Sequence, residues 1–176
     1  MDRVQTWQAI DSIRVVRDFS DRPVSDEDVV RIVNAGRRAG SSKNLQRWDF
    51  VVVRDRYRLR ELSRAGAFAG PVADAAVAVA LVTPDPTQPD QPLSVMWDLG
   101  RAAQNMVLAA WERGIGSVPA TVYEHDLVDK LLGLPADHRC EFILSFGYPV
   151  DETLLTAPKR AGGRVSLADV LHEEAW

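Results

Sequence analysis

Residues 93–121 read LSVMWDLGRAAQNMVLAAWERGIGSVPAT, and two periodicities meet in that stretch. Val95, Leu99, Ala102, Ala103, Met106, Val107 and Ala110 recur at helical spacing and form one apolar stripe. After Gly114 the pattern changes, and Ile115 to Thr121 reads as a strand. Asp98, Arg101, Gln104 and Asn105 fall within the helical part. So many polar groups predict a buried amphipathic helix and not a membrane span. A helix of this kind must lay its stripe against another layer, and the flanking sequence supplies one.

Working towards the N-terminus, TPDPTQPDQP carries four prolines in ten residues and predicts a surface loop. Before it, Ala75 to Val82 alternates small and β-branched residues and predicts a buried strand. Tyr57 to Ala67 reads as a short helix, and Phe50 to Val53 as a central strand. Val29, Ile32, Val33 and Gly36 recur at helical spacing behind an N-cap at Ser25. Asp28 follows three residues on, as in a capping box, and the helix is expected to end near Gly40. A first helix covers Trp7 to Ile13, and SIRVVRDFSDRPVS after it reads as extended.

Towards the C-terminus, His125 to Leu132 reads as a short helix ended by Gly133 and Pro135. Cys140, Phe142, Leu144 and Phe146 then alternate with Glu141, Ile143 and Ser145 in a strand, with Cys140 on its apolar face. Helices and strands alternate without a clean βαβ series. That favours an α+β fold, with a mixed or antiparallel sheet flanked by helices around a long central one. Residues 1–176 read as a single domain. The segment from about 150 to 176 has little periodic pattern, but Val165, Leu167, Val170 and Leu171 give it enough apolar content to dock on something else.

Composition excludes several classes. The chain has 176 residues, 46% hydrophobic and 26% charged, which suits one domain with a core. A net charge of -4 is a poor basis for nucleic-acid binding. One cysteine and three scattered histidines give no disulfide and no metal-ligand spacing. No GxSxG, P-loop or GxGxxG occurs. The start MDRVQTWQAI has no apolar signal core, so a cytoplasmic location with no membrane association is expected.

Three separated segments carry candidate binding groups. Arg14, Val15 and Arg17 lie in the extended SIRVVRDF, where positions three apart point to opposite faces. The two arginines either serve two parts of one elongated ligand or are solvated partners of Asp18 and Asp21. Ser41, Ser42, Lys43 and Asn44 crowd donors and acceptors into a helix-exit loop that turn chemistry alone would also explain. Lys159, Arg160 and Arg164 surround Gly162 and Gly163, which suits either a phosphate clamp or a basic tail.

In series these segments resemble the nitroreductase family. The resemblance rests on SIRVVRDF followed by a proline, GSSKNLQRW before a strand, and DLGRAAQNMVLAAWERGIGS. LLGLP, FILSFGYP and PKRAGGRVSLADVLHEEAW extend it over nearly the whole chain. It implies a homodimer, domain-swapped through the tail, that binds FMN at its interface. The dimer would pass electrons from NADH or NADPH to a small-molecule acceptor such as a nitroaromatic or quinone. It also implies that Arg14 meets the FMN phosphate and Arg17 the pyrimidine edge of the flavin. Ser41, Ser42 and Asn44 would come from the other subunit. Ala120 and Thr121 match the segment whose backbone amide faces flavin N5, with Pro119 beside them among the cofactor-binding residues. Lys159 and Arg164 complete the phosphate site, with Arg160 beside them. The resemblance implies flavin-centred chemistry with no indispensable side-chain acid or base. A dehydrogenase, a dehalogenase, a flavin-fragmenting enzyme and a non-catalytic flavin-binding dimer remain alternatives on the same fold. GAFAGPVADA departs from the pattern by lacking the Asn or Gln that many members place near the flavin.

Overall fold

The computed structural model describes residues 6–158 and 163–176. Its elements run α1 (Thr6–Ser12), α2 (Asp26–Arg37), β1 (Asp49–Val53), α3 (Arg56–Leu62), β2 (Val77–Pro84), α4 (Ser94–Trp111), β3 (Gly116–Thr121), α5 (His125–Leu132) and β4 (His138–Gly147). The sheet order is β1-β2-β4-β3, with every ladder antiparallel. A single parallel bridge from Val15 to Ser117 brings the segment after α1 onto the β3 edge. This is the α+β architecture that the sequence predicts.

Strand β2 explains the layering. It is buried at seven successive positions, and it sorts its side chains by size. Val77, Val79 and Leu81 pack with Leu144 and Phe146 against Ile32 of α2 and Leu99 and Met106 of α4. Ala78 and Ala80 sit on the opposite face, with Leu59 and Leu62 of α3 and Val128 of α5. Fully burying one such aliphatic side chain contributes about 1.5–3 kcal/mol, so the two faces supply most of the driving force.

Four sequence expectations need correction. The run Phe50–Val53 belongs to an edge strand and not a central one, since β1 pairs only with β2 and leaves Val52 40% exposed. Cys140 is buried, but on the other face from Phe142, Leu144 and Phe146. Leu81 pairs with Phe142 whereas Val82 pairs with Cys140, so Glu141 is an extra bulged residue that reverses the alternation. Burial there pushes the Cys140 thiol up to about 12. Helix α3 stops at Leu62, short of Ala67, because the carbonyl of Ala65 leaves the helical pattern to accept the amides of Tyr123 and Glu124 at 2.7 and 3.0 Å. Helix α2 ends at Arg37, three residues before Gly40, where the amides of Arg38 and Ala39 close its last carbonyls.

At the other end of α2, Ser25 caps the amide of Asp28 at 3.0 Å. The Asp28 carboxylate accepts the Ser25 hydroxyl at 2.8 Å and Nε of Arg113 at 2.8 Å, which ties the start of α2 to the exit of α4. Burial works to raise the pKa of Asp28. The Ser25 hydroxyl and the Arg113 guanidinium outweigh it and hold the carboxyl below its ordinary value.

Candidate functional site

The site is built on the outer edge of β3. Val16 donates its amide to the carbonyl of Ser117 at 3.0 Å, and its side chain is buried with Phe19, Trp111 and Val118. Gly116 permits this contact, because a Cβ there would run into the Val16 side chain. The Arg14–Arg17 segment is therefore fixed alongside β3, and its alternation does the rest. Val16 turns inward, while Arg17 is exposed on the strand's outer side.

Arg17 lines a groove of about 420 Å³ whose walls are Val118, Pro119 and Thr121 on one side and Ala67, Phe68, Gly70 and Pro71 on the other. The size suits a small-molecule site. Gly66, just before this wall, packs closely on the end of β3: a Cβ there would meet the Thr121 carbonyl and, at 2.9 Å, the Tyr123 ring. Phe68 is 79% exposed beside the opening. Among the described residues Arg17 is the only charged one lining the groove, and no histidine, cysteine or carboxylate lines it. Such a groove can hold a flat ring through its faces and an electron-rich edge through the guanidinium. Among the described residues its only side-chain hydroxyl is that of Thr121.

The backbone of β3 supplies one more group. Ser117 presents its carbonyl outward to Val16, so strand alternation turns Pro119 and Thr121 outward and Ala120 towards β4. Pro119 has no N–H, which leaves the Thr121 amide as the outward donor along this part of the edge. The groove thus gathers Arg17, Pro119 and Thr121, while Ala120 is buried behind them among the α3–α5 core residues.

Arg14 lies a short step away. Its guanidinium donates to the carbonyl of Ala157, and its Nε is buried with no hydrogen-bond partner among the described residues. Val15 is 49% exposed and makes the bridge to Ser117. Lys159 and Arg160 lie outside the described residues. Arg164 is exposed, and its guanidinium donates to the carbonyl of Gly163 at 2.9 Å.

Ser41, Ser42 and Asn44 stand elsewhere, against α4, and do not line the groove of their own chain. Asp98 of α4 anchors the loop by accepting the Ser42 amide at 2.7 Å, and the Ser41 hydroxyl accepts the Gln46 amide at 3.0 Å. Lys43, Asn44 and Gln46 have φ of 53°, 55° and 50°. Three non-glycine residues in the left-handed region within four positions is strain of the kind held at binding sites. Next to this loop, Arg38, Ala39, Gly40, Arg101, Gln104 and Asn105 line a second pocket of about 420 Å³.

Sequence reading missed Ala67, Phe68, Gly70 and Pro71 as groove walls, and Asp98 as the loop's anchor. The signal for Asp98 was available, since it is a carboxylate set within an apolar helix stripe. The resemblance places the GAFAGP segment near the flavin but does not name these residues as walls; the segment is held to the end of β3 by the close approach of Gly66 to Thr121 and by the Ala65 carbonyl, which accepts the amides of Tyr123 and Glu124.

A family model described as "Nitroreductase family" matches residues 10–148. A protein of Archaeoglobus fulgidus, provisionally named NADH dehydrogenase/NAD(P)H nitroreductase, is 37% identical over 169 residues, covering 93% of this chain and 94% of that one. An iodotyrosine deiodinase of Thermotoga neapolitana is 29% identical over 162 residues, covering 78% of this chain and 85% of that one. Among solved structures, the NADPH:FMN oxidoreductase of Vibrio harveyi complexed with NAD+ superposes with a TM-score of 0.83 at 29% identity. That match covers 97% of this chain and 77% of that one. No helix among the described residues is long and apolar enough to cross a membrane.

Proposed function

This chain belongs to the nitroreductase family, and from that premise we propose that it is an FMN-dependent oxidoreductase. It would move electrons from NADH or NADPH to a small acceptor such as a nitroaromatic or quinone. The groove on the β3 edge carries this reading. It combines apolar walls, one guanidinium and one outward amide, and among the described residues no histidine, cysteine or carboxylate lines it, which favours chemistry supplied by a bound group. FMN, when bound, supplies two-electron transfer between donor and acceptor.

The residues present fit that cofactor. The buried, unpartnered Nε of Arg14 is an orphaned donor that a phosphate oxygen would satisfy. The Arg14 guanidinium also donates to the carbonyl of Ala157. Arg17 would face the pyrimidine edge of the ring, and the Thr121 amide would donate to the ring edge that lies over β3. Ala67, Pro71, Val118 and Pro119 would exclude water from its faces. A flat acceptor would then stack in the remaining opening, beside Phe68. Ser41, Ser42 and Asn44, on a loop strained at Lys43, Asn44 and Gln46 and remote from their own groove, would serve the partner's cofactor in a homodimer. The exposed segment 163–176 would wrap that partner.

Titration with FMN and with riboflavin tests the reading. One FMN bound per chain, much tighter than riboflavin, is expected, with the bound colour bleached by NADH or NADPH and restored by acceptor. Equal affinity for the two flavins would count against it. The deiodinase relative favours a second reading, reductive dehalogenation. Release of iodide from an iodinated phenol by the reduced protein, with no turnover of nitroaromatics or quinones, would select it.

A further inference from the structure

The loop between α2 and β1 divides its side chains into two sets. One set holds the loop together. Asp98 accepts the Ser42 amide at 2.7 Å, the Ser41 hydroxyl accepts the Gln46 amide at 3.0 Å, and the Gln46 side chain donates to the Asn44 side-chain carbonyl at 3.2 Å. Trp48, buried and stacked on Phe50 with ring centroids 6.4 Å apart, anchors the far end. Lys43 belongs to the other set. It is exposed, and its ammonium has no hydrogen bond or ion pair among the described residues. Its φ is 53°, close to the 55° of Asn44. Asparagine visits this region readily, whereas lysine has no short polar group to compensate its backbone there. Position 43 therefore keeps a strained, unpaired cation on a loop whose shape is fixed from both ends.

We propose that Lys43 is a specificity-determining residue at the partner subunit's groove. It holds an anionic group, a carboxylate or phosphate, on the flat molecule that stacks against the cofactor there. The inference rests on the functional reading, in which Ser41, Ser42 and Asn44 serve the partner's FMN, and it adds the charge of the second ligand. Lys43 stands between Ser42 and Asn44, one Cα step of about 3.8 Å from each. Its four-carbon stem carries the ammonium farther out than either neighbour's side chain reaches. The cofactor's own charges are met elsewhere, by Arg14 with Lys159 and Arg164 at the phosphate and by Arg17 at the ring edge. That leaves the Lys43 ammonium for whatever occupies the opening beside it. Among the described residues no carboxylate lines the groove, so none there neutralises the lysine or repels an anion. Phe68, 79% exposed at the opening, supplies an apolar face and no charge. An aromatic ring bearing an acidic group matches both. Donor and acceptor visit the opening in turn. The nicotinamide donor brings phosphates, and an acceptor meets the same cation when its ring bears a carboxylate.

The test uses steady-state kinetics of the FMN-loaded, full-length protein. One arm compares a neutral quinone with the same quinone bearing a carboxylate, at fixed NADH. The other compares NADPH with NADH, which differ by one phosphate, at a fixed neutral quinone. Wild type, Lys43→Gln and Lys43→Arg are read in both arms, with FMN affinity measured alongside. The preference for the carboxylated quinone, as a ratio of kcat/KM values, should fall by about tenfold in Lys43→Gln, through KM more than kcat. Lys43→Arg should restore most of it, and raised salt should shrink the wild-type preference. A fall confined to the NADPH arm would support the same anion contact and assign it to the donor's phosphate. Unchanged ratios in both arms would overturn the proposal while leaving the functional reading intact. Weakened FMN binding with unchanged ratios would overturn it in favour of a cofactor contact. A wild type that binds no FMN would overturn both.

Discussion

The β3 groove and the α2–α4 end both carry arginines and both enclose a pocket of about 420 Å³, yet they differ in how they are held together. The groove is assembled from three parts of one chain, and the Val16–Ser117 hydrogen bond, Gly116 and Gly66 fix their approach. The α2–α4 end has guanidiniums without full partners and a strained loop that touches nothing of the groove. In the homodimer we propose, each region would be completed by a second copy of this chain. A site divided this way makes cofactor binding and assembly depend on each other.

The largest way to break the comparison is to remove the tail. A chain ending at Pro158 should lose both dimerisation and FMN binding, because Lys159, Arg160 and Arg164 go with it. Each charge-assisted contact is worth about 1.5–3 kcal/mol, so affinity should fall by on the order of 100-fold or more. Sedimentation and flavin titration measure the two losses. A truncated chain that stayed dimeric and kept its flavin would merge the two regions into one self-sufficient unit.

Next in size is Gly66→Val. The new side chain meets the Thr121 carbonyl, which cannot swing away as a flexible side chain would. Overpacking of this kind costs about 1–3 kcal/mol, and it should also close the groove. Thermal unfolding should show a lowered midpoint together with weakened flavin binding. The same substitution at Gly100, where a Cβ meets nothing, should leave the monomer's stability almost unchanged.

Asp28 gives a smaller effect that touches neither site. Its carboxyl sits below the ordinary value in the folded chain, so its contribution is present above the unfolded pKa and is lost as pH falls through the folded one. Stability should therefore decline below about pH 4, and Asp28→Asn should flatten that decline. Urea titrations at several acid pH values follow it. An identical acid limb in the variant would remove Asp28 from the account.

The two regions were unequally legible in the sequence. Helix α4, the capped start of α2 and the buried β2 follow from short-range patterning, which one chain segment contains in full. The edge position of β1 did not follow, because a run of three valines looks the same at an edge and a centre. The face of Cys140 was misjudged because a bulge at Glu141 leaves no trace in composition. At the site, Arg14 and Arg17 stood out as cations in an extended segment, and in the structure Arg17 lines the groove while Arg14 donates to the Ala157 carbonyl. The GAFAGP wall did not stand out, because its role comes from a long-range approach of Gly66 to β3. Choosing between Ala120 and Thr121 needed the direction of a single hydrogen bond, Val16 to Ser117.

The finest distinction, between Arg17 in the groove and Arg14 behind it, tests the central claim most directly. If Arg17 lies against the redox-active ring, its charge stabilises the reduced, more negative cofactor over the oxidised one. The phosphate beside Arg14 keeps its charge in both states. For a two-electron couple about 1.4 kcal/mol corresponds to roughly 30 mV, and only part of a contact worth about 1.5–3 kcal/mol is redox-dependent. Redox titration of the FMN-loaded variants against a reference dye should therefore show Arg17→Ala lowered by some tens of millivolts. Arg14→Ala should bind FMN more weakly at an almost unchanged potential. An unmoved potential in Arg17→Ala would contradict the placement of the cofactor in the β3 groove.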